Sequence, residues 1–560
     1  MNKRLLALML ALIMVVSTLV GCSQPAEEPA TPAEPSTPAE PAEPAEPAEP
    51  AGPTEVVFNW NIGADPKTID PVLNGASDGG DVINQTFEGL TREKSGEIFP
   101  GIAERWEVSD DGLTVTFYLR ESKWSDGSPL TAHDFVYSWK RGMDPATASE
   151  YAWIWEYTNI VGAYAAVEGG SLDEVGVTAL DDYTLEVKLM VPTDYIVSLL
   201  SFYHFLPTKQ SSVEAGADGA WAKNHNIAVS NGPFKLTSYR IGDGLTLVRN
   251  ENYWNAEAVK IDRIEGKFID EASTAYQAYQ IGELHFLPDV PTAEIPKLIA
   301  EDPNFYIFPL LGTYYYNFNM DLELFEDVRI RKALNMAIDR QQIVETLGGG
   351  QLPAAGFVPP GFIDHEGNDF SLTAGTFGLP SDGSKIAEAQ ALLAEAGFPG
   401  GAGFPEFTIM YNTSEAHQLV AELIQEMLKT NLGINTKLEN QEWAVFQDTR
   451  KAGDYELARG GWLTDYMDPS GMLSIFTSAN AYNDPNFYND EYDALLSKAA
   501  STNGAEHFEA LYAAQEILMN ELPVIPVYYY TDLMLVSPKL QGWDRSVLGT
   551  IDFSGASIVE

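Results

Sequence analysis

Two segments of the chain alternate apolar and polar residues at every second position: LTVTFYLR at 113–120 and TLEVKL at 184–189. Strand side chains point alternately to opposite faces, so each segment predicts a half-buried β-strand. DYELARGG, ending at Gly461, reads the same way. Elsewhere the period lengthens. DVRIRKALNMAIDRQQIV (327–344) sets Ile330, Ala333, Leu334, Ala337 and Ile338 on one helical face. AEAQALLAEAGF (387–398) predicts a helix closed by Gly397, since the residue after a helix often turns left-handed, where glycine is unstrained. In QEWAVFQDTR, Trp443, Gln447 and Arg450 fall at i, i+4 and i+7, so one helical face presents an aromatic ring and a guanidinium. Ser414 is a candidate N-cap, which puts His417 in a first helical turn, where backbone N–H groups favour anions. Strand-like and helix-like segments interleave, the pattern of an α/β fold.

The first residues follow a different pattern. Lys3 and Arg4 precede an apolar run from Leu5 to Val20. The run has about sixteen residues, short of the roughly twenty that a membrane span requires, and has the layout of a secretory signal. It ends in LVGC (19–22), which resembles the lipobox of bacterial lipoproteins. In such proteins the cysteine is lipidated and becomes the mature N-terminus, so the expectation is a signal peptide over 1–21 and a lipid on Cys22. Cys22 is the chain's one cysteine, leaving no thiol for a disulfide, a metal site or catalysis. Acyl chains there, at about 0.8 kcal/mol per buried CH₂, would hold the protein on a membrane. Residues 22–53 form a Pro/Ala/Glu-rich tether. Frequent proline favours polyproline II and the glutamates repel one another, so about thirty residues could reach up to about 90 Å.

Beyond the tether remain about 500 residues, enough for about three domains. A formal net charge of −48 makes nucleic acid and anionic membrane surfaces poor partners. No second apolar run approaches spanning length. The body reads as a multi-lobed extracytoplasmic protein, a monomer, that needs no cofactor.

Catalytic signatures are weak. Gly75-Ala76-Ser77-Asp78-Gly79 matches the G-x-S-x-G nucleophile elbow in form, but that elbow requires a strand before the serine, and the preceding IDPVLN is rich in turn residues. The seven histidines are scattered, with no H-E-x-x-H and no cysteine to support zinc. The expectation is a binding protein and not an enzyme.

Several motifs together resemble the oligopeptide-binding proteins of bacterial ABC importers, the family 5 solute-binding lipoproteins. KWSDGSPLTAHDFVYSWKR (123–141) is the most specific. SNGPFKL (230–236), RNENYWN (249–255), TYYYNFN (313–319), FEDVRIRKALNMAIDR (325–340), YNTSEAH (411–417), ARGGWLTDY (458–466) and PVIPVYYY (523–530) follow in order. The resemblance implies an α/β, periplasmic-binding-protein-like type II clamp, hinged, of two lobes with an additional domain. It implies lobe I over 54–86, 211–311 and 532–560, the additional domain over 87–210, and lobe II over 312–531. It also implies oligopeptide ligands, ABC permease subunits as partners, and a place on the outer face of the cytoplasmic membrane, or the periplasmic side where an outer membrane exists. The same clamp could serve a dipeptide, nickel, haem or an oligosaccharide, or could act as a peptide-sensing receptor.

A receptor indifferent to side chains must recognise what all peptides share: two charged termini and a backbone. ARGGWLTDY supplies a base, an acid and bare main chain within a few residues. By family position, Asp465 meets the ligand's α-ammonium, and Arg459, Arg450 and His417 meet carboxylates of peptides of different lengths. Arg459 and Asp465 could instead pair with each other. Gly460-Gly461 would let a ligand backbone approach as an added strand. Trp443, Trp462, Tyr151, Tyr315 and Tyr530 would wall side-chain pockets. The chain departs from the family pattern at Gly312 and Leu463, which stand where a familiar member has cysteines. It departs also at Asn74, in place of an acid beside the ligand backbone, and at Gly348, in place of a lysine.

Overall fold

The computed structural model describes residues 55–95, 97–216 and 219–559. The signal region, Cys22 and the tether lie outside the described residues, and no described helix is long and apolar enough to cross a membrane.

The alternating segments are strands, Thr114–Leu119 and Thr184–Lys188. They pair antiparallel, with Val115 opposite Val187 and Phe117 opposite Leu185. These four side chains are buried, which accounts for the two-residue period. Ala103–Val108 and Val177–Asp181 complete a four-stranded antiparallel sheet. Beside it, helix Ala132–Met143 buries Phe135 and Trp139. The Trp139 indole donates to the Phe205 carbonyl at 2.7 Å, and Trp155 donates to His204 Nε2 at 3.1 Å. Burial drives the His204 pKa down to about 3, so the ring stays a neutral acceptor inside an aromatic core.

The pattern at 327–344 yields two helices, Val328–Met336 and Arg340–Leu347, where the periodicity predicts one. The expected apolar face is buried throughout. The break comes from Asp339, whose carboxylate accepts from Gln342 N at 2.8 Å and so caps a new helix. The buried Arg340 guanidinium then donates to the carbonyls of Pro526 and Asn335 at 2.7 and 3.0 Å. Helix Ile386–Glu395 ends as predicted. Gly397 has φ +102°, and Phe398 N donates to the Leu393 carbonyl at 3.0 Å, closing the last turn.

A mixed sheet of eleven strands runs through the body. Its middle is an antiparallel pair of long strands, Phe305–Phe318 and Val524–Val536. Val57–Asn61 and Arg263–Lys267 lie to one side of this pair. Leu457–Leu463, Phe407–Asn412 and Thr436–Gln441 lie to the other. The ladder between the long strands loses register between Pro309 and Thr313, where proline has no N–H to contribute.

One buried ion pair fastens the turn at Asp70 to helix Ala132–Met143. Asp70 is fully buried and accepts from Arg141 at 2.9 and 2.6 Å, from the Trp221 indole at 2.7 Å and from Val72 N at 3.0 Å. Leaving one member of a buried pair uncompensated costs about 3–5 kcal/mol. Asp70→Asn is therefore expected to lower the urea midpoint by an amount equivalent to at least about 3 kcal/mol, at unchanged m-value. A variant that unfolds at the wild-type midpoint would show that the pair does not support the fold.

Candidate binding cavity

Strand Leu457–Leu463 is the spine of the site. One edge pairs with Phe305–Phe318, placing Tyr315 opposite Gly460 and Tyr314 opposite Gly461. The other edge meets Phe407–Asn412 at Leu457 and Ala458. From Arg459 onward that edge has no strand partner among the described residues. It faces a cavity of about 550 Å³, within the range of small-ligand sites.

Asp465, two residues beyond the strand, lines this cavity. One carboxylate oxygen accepts from Tyr151 Oη at 3.2 Å, and the other is buried with no hydrogen-bond partner among the described residues. Burial holds its pKa well above the ordinary carboxyl value, against the smaller pull of the Tyr151 hydrogen bond. Around it stand Tyr151, Trp153, Trp462 and Tyr482. Trp462 stacks on Tyr151 at 6.1 Å and 19°, approaches Tyr482 at 5.0 Å, and is itself fixed by its indole donating to the Gly471 carbonyl at 2.7 Å. Sequence reasoning missed Tyr482, which reaches the cluster from a loop (AYNDP) with no periodic signal.

Arg459 lines the same cavity. Its guanidinium donates to Tyr530 Oη at 2.7 Å, reaches Asn412 Oδ1 at 3.5 Å and lies 5.0 Å above the Tyr314 ring. Burial disfavours its charge, but the phenols of Tyr530, Tyr314, Tyr528 and Tyr316 hold its pKa above the ordinary arginine value. Its partners are neutral groups, and it does not pair with Asp465. Asp465 likewise has no cationic partner among the described residues.

The other two predicted bases differ from Arg459. Trp443, Gln447 and Arg450 all line the cavity from one face of helix Trp443–Lys451, as their spacing predicts. Arg450, however, is already ion-paired: its Nε lies 2.7 Å from Asp484 Oδ2, with both side chains buried, and its Nη1 donates to the Arg459 carbonyl at 3.2 Å. His417 sits in the first turn of helix Glu415–Leu432, its N–H on the Ser414 hydroxyl at 3.4 Å. Burial, then the Arg459 charge, push its pKa well below the ordinary histidine value. It therefore offers a neutral hydrogen-bonding ring and not a second cation.

The two glycines have a reason beyond access. A Cβ at Gly461 would lie 2.3 Å from Tyr530 Oη, and one at Gly460 would lie 2.5 Å from the Tyr315 ring. Their missing side chains make room for the tyrosines, and Gly461 still lines the cavity. Tyr315 lines it too, while packing against Phe357 at 5.2 Å. Asn74 is not on the cavity wall. It is buried behind it, its amide donating to the Ala76 carbonyl at 2.7 Å, and it packs tightly under Gly79. Gly312 and Leu463 stand directly opposite each other across the ladder. Ser77 opens helix Ser77–Thr86 after a turn, without the preceding strand that a nucleophile elbow requires.

Residues 97–484 match the family profile described as bacterial extracellular solute-binding proteins, family 5 middle. Oligopeptide-binding protein OppA of Bacillus subtilis is 37% identical over 518 residues, covering 90% of this chain and 92% of that protein. Among solved structures, Haemophilus influenzae OppA in complex with RPPGFSPFR superposes with a TM-score of 0.84 at 34% identity, covering 90% of this chain and 99% of that one. Escherichia coli MppA, the murein tripeptide binding protein, superposes at 0.83 with 33% identity, covering 90% and 99%. The unliganded open form of MppA superposes at 0.59, with 33% identity and 91% and 99% coverage. The fold is the α/β type II periplasmic-binding architecture with multiple domains. The chain belongs to the bacterial extracellular solute-binding proteins of family 5.

Proposed function

We propose that the protein is an extracytoplasmic receptor that binds oligopeptides through their termini and backbone and delivers them to an ABC importer. One observation carries this reading: Asp465 and Arg459, an acid and a base, line one cavity, and neither has a charged partner among the described residues. An isolated buried charge is costly, so such a site suits a ligand that brings both complements. A free peptide does so, with its α-ammonium at Asp465 and its carboxylate at Arg459. The two residues lie six apart in sequence, at most about 20 Å of extended chain at about 3.3 Å per residue. An extended peptide of up to about six residues spans that length, and its backbone can pair with the free edge at Arg459–Leu463. His417 would support the carboxylate by hydrogen bonding and Arg450 would shape the wall, while Trp443, Trp462, Tyr151, Tyr315 and Tyr530 bound the side-chain space. The relatives named as oligopeptide-binding and the peptide-bound neighbour favour the same ligand class.

The clamp divides into lobe I (54–86, 211–311, 532–560), an additional domain (87–210) and lobe II (312–531). The register break between Pro309 and Thr313 supports a hinge at that boundary. No nucleophile or metal chemistry is assigned to it, and the expected state is a monomer. Lipidation of Cys22 would tether it to the outer face of the cytoplasmic membrane, with permease subunits as partners.

Three outcomes are expected. Asp465→Ala should weaken binding of a free-amine peptide by two to three decades, at about 3–5 kcal/mol for a broken buried pair. N-acetylation should produce a similar loss in the wild type and little further loss in the variant. Calorimetry of this four-way cycle isolates the pairing from general damage, and simple additivity would remove Asp465 from the ammonium site. On peptide addition, small-angle scattering should show compaction and the peptide should be recovered intact; cleavage products that scale with protein purity would mean an enzyme. Cys22→Ala should move the protein from the membrane to the soluble fraction, and a variant that stayed membrane-bound would disprove the anchor.

A further inference from the structure

Asp465 lies outside the strand ladder, so its position depends on the loop that carries it, Thr464–Ser470. The loop is tied to itself. Thr464 Oγ1 and Asp468 N both donate to the Tyr466 carbonyl, at 2.7 and 2.9 Å. Ser470 N and Oγ both donate to Asp468 Oδ1, at 2.9 and 2.5 Å. The fastenings from outside are the Leu311 carbonyl, which accepts from Thr464 N at 2.9 Å, the Tyr195 ring, which stacks on Tyr466 at 5.2 Å, and His507, on helix Gly504–Glu521 and 4% exposed. Its Nε2 lies 2.9 Å from Asp468 Oδ2, and its Nδ1 lies 2.8 Å from the Ala499 carbonyl.

Both of those oxygens are acceptors when Asp468 is ionised. A neutral imidazole has a single N–H and can serve one of them; an imidazolium serves both. Ala499 also lies in the last turn of helix Asp490–Ala500, where a cation is favoured by the carbonyl dipoles. The other rings beside His507 are Tyr195, at 6.5 Å, and Phe508, at 5.0 Å. Burial, and to a lesser degree Asp468, hold the Tyr195 phenol well above its ordinary pKa, so it stays neutral, and Asp468 is the charge that acts on His507.

We propose that His507, as an imidazolium clamped between Asp468 and the Ala499 carbonyl, is a positioning residue for Asp465 that makes peptide affinity depend on pH. The proposal rests on the reading of Asp465 as the ammonium anchor. Burial opposes charge on His507, but the Asp468 carboxylate and the Ala499 carbonyl outweigh it and leave the pKa above the ordinary histidine value. For a group raised in this way, the stabilisation is complete below about 6.5 and is lost as pH rises through the higher folded value. Above it one buried acceptor faces a lone pair, and the loop carrying Asp465 loosens.

The test uses the full chain and tetra-alanine with free termini. Nitrogen NMR should find both His507 ring nitrogens protonated at pH 6. Calorimetry between pH 5.5 and 8.5 should show wild-type affinity falling about tenfold further across the range than that of His507→Gln. The peptide's α-amino group and Asp465 titrate in both proteins, so the difference between the profiles isolates His507. Asp468→Asn, which keeps the side-chain shape, should move the wild-type transition to lower pH and serves also if His507→Gln folds poorly. A singly protonated ring at pH 6, or parallel profiles for wild type and variants, would overturn the proposal. Discrimination against N-acetylated peptide at one fixed pH tests the Asp465 reading separately.

Discussion

A carboxylate and a guanidinium that line one cavity yet do not meet are the constraint on which the structure depends. Left to relax, Asp465 and Arg459 would pair with each other or with the many charges elsewhere in the chain. They are kept apart by the strand between them, which is held extended by its ladder with Phe305–Phe318. The tyrosines of the neighbouring strands occupy the space that side chains at Gly460 and Gly461 would fill. Tyr530 then orients the guanidinium from a neutral oxygen, and the rings of Tyr151, Trp462 and Tyr482 enclose the carboxyl. Each neighbour stabilises by packing or a neutral hydrogen bond without supplying an opposite charge.

The contrast with four other groups of buried charges is informative. Asp70 meets Arg141, Arg92 lies between Glu88 and Asp552, Arg545 meets Asp532, and Arg450 meets Asp484. These pairs are compensated within the protein and act as fastenings. The net charge of −48 therefore says little about the cavity, where local pairing decides which charges are available.

Several side-chain contacts join residues before Leu311 to residues after it. Lys67 meets Asp448 at 2.8 Å, Glu150 meets Lys451, Ser273 Oγ donates to Glu415 at 2.5 Å, and Tyr151 reaches Asp465. Exposed pairs of the Lys67–Asp448 kind contribute about 0–1 kcal/mol.

What the sequence by itself determined is local. The two-residue period at 113–120 and 184–189 named strands whose inward faces are now seen buried, and Gly397 marked a helix end because only its backbone turns left-handed there at little cost. The i, i+4, i+7 spacing placed Trp443, Gln447 and Arg450 on one wall, and Ser414 placed His417 in a first turn. The helix break at Asp339 escaped because a cap inside a continuous apolar pattern leaves the pattern intact. Only the tertiary structure decided which charges stay free. Asp484 lies 34 positions from Arg450 and His507 lies 39 from Asp468, and no local spacing encodes such pairings. Three bases that look equivalent in sequence become one free cation, one compensated cation and one neutral ring. Charge state depends on burial and on partners brought together by the fold, and both are properties of the packed chain.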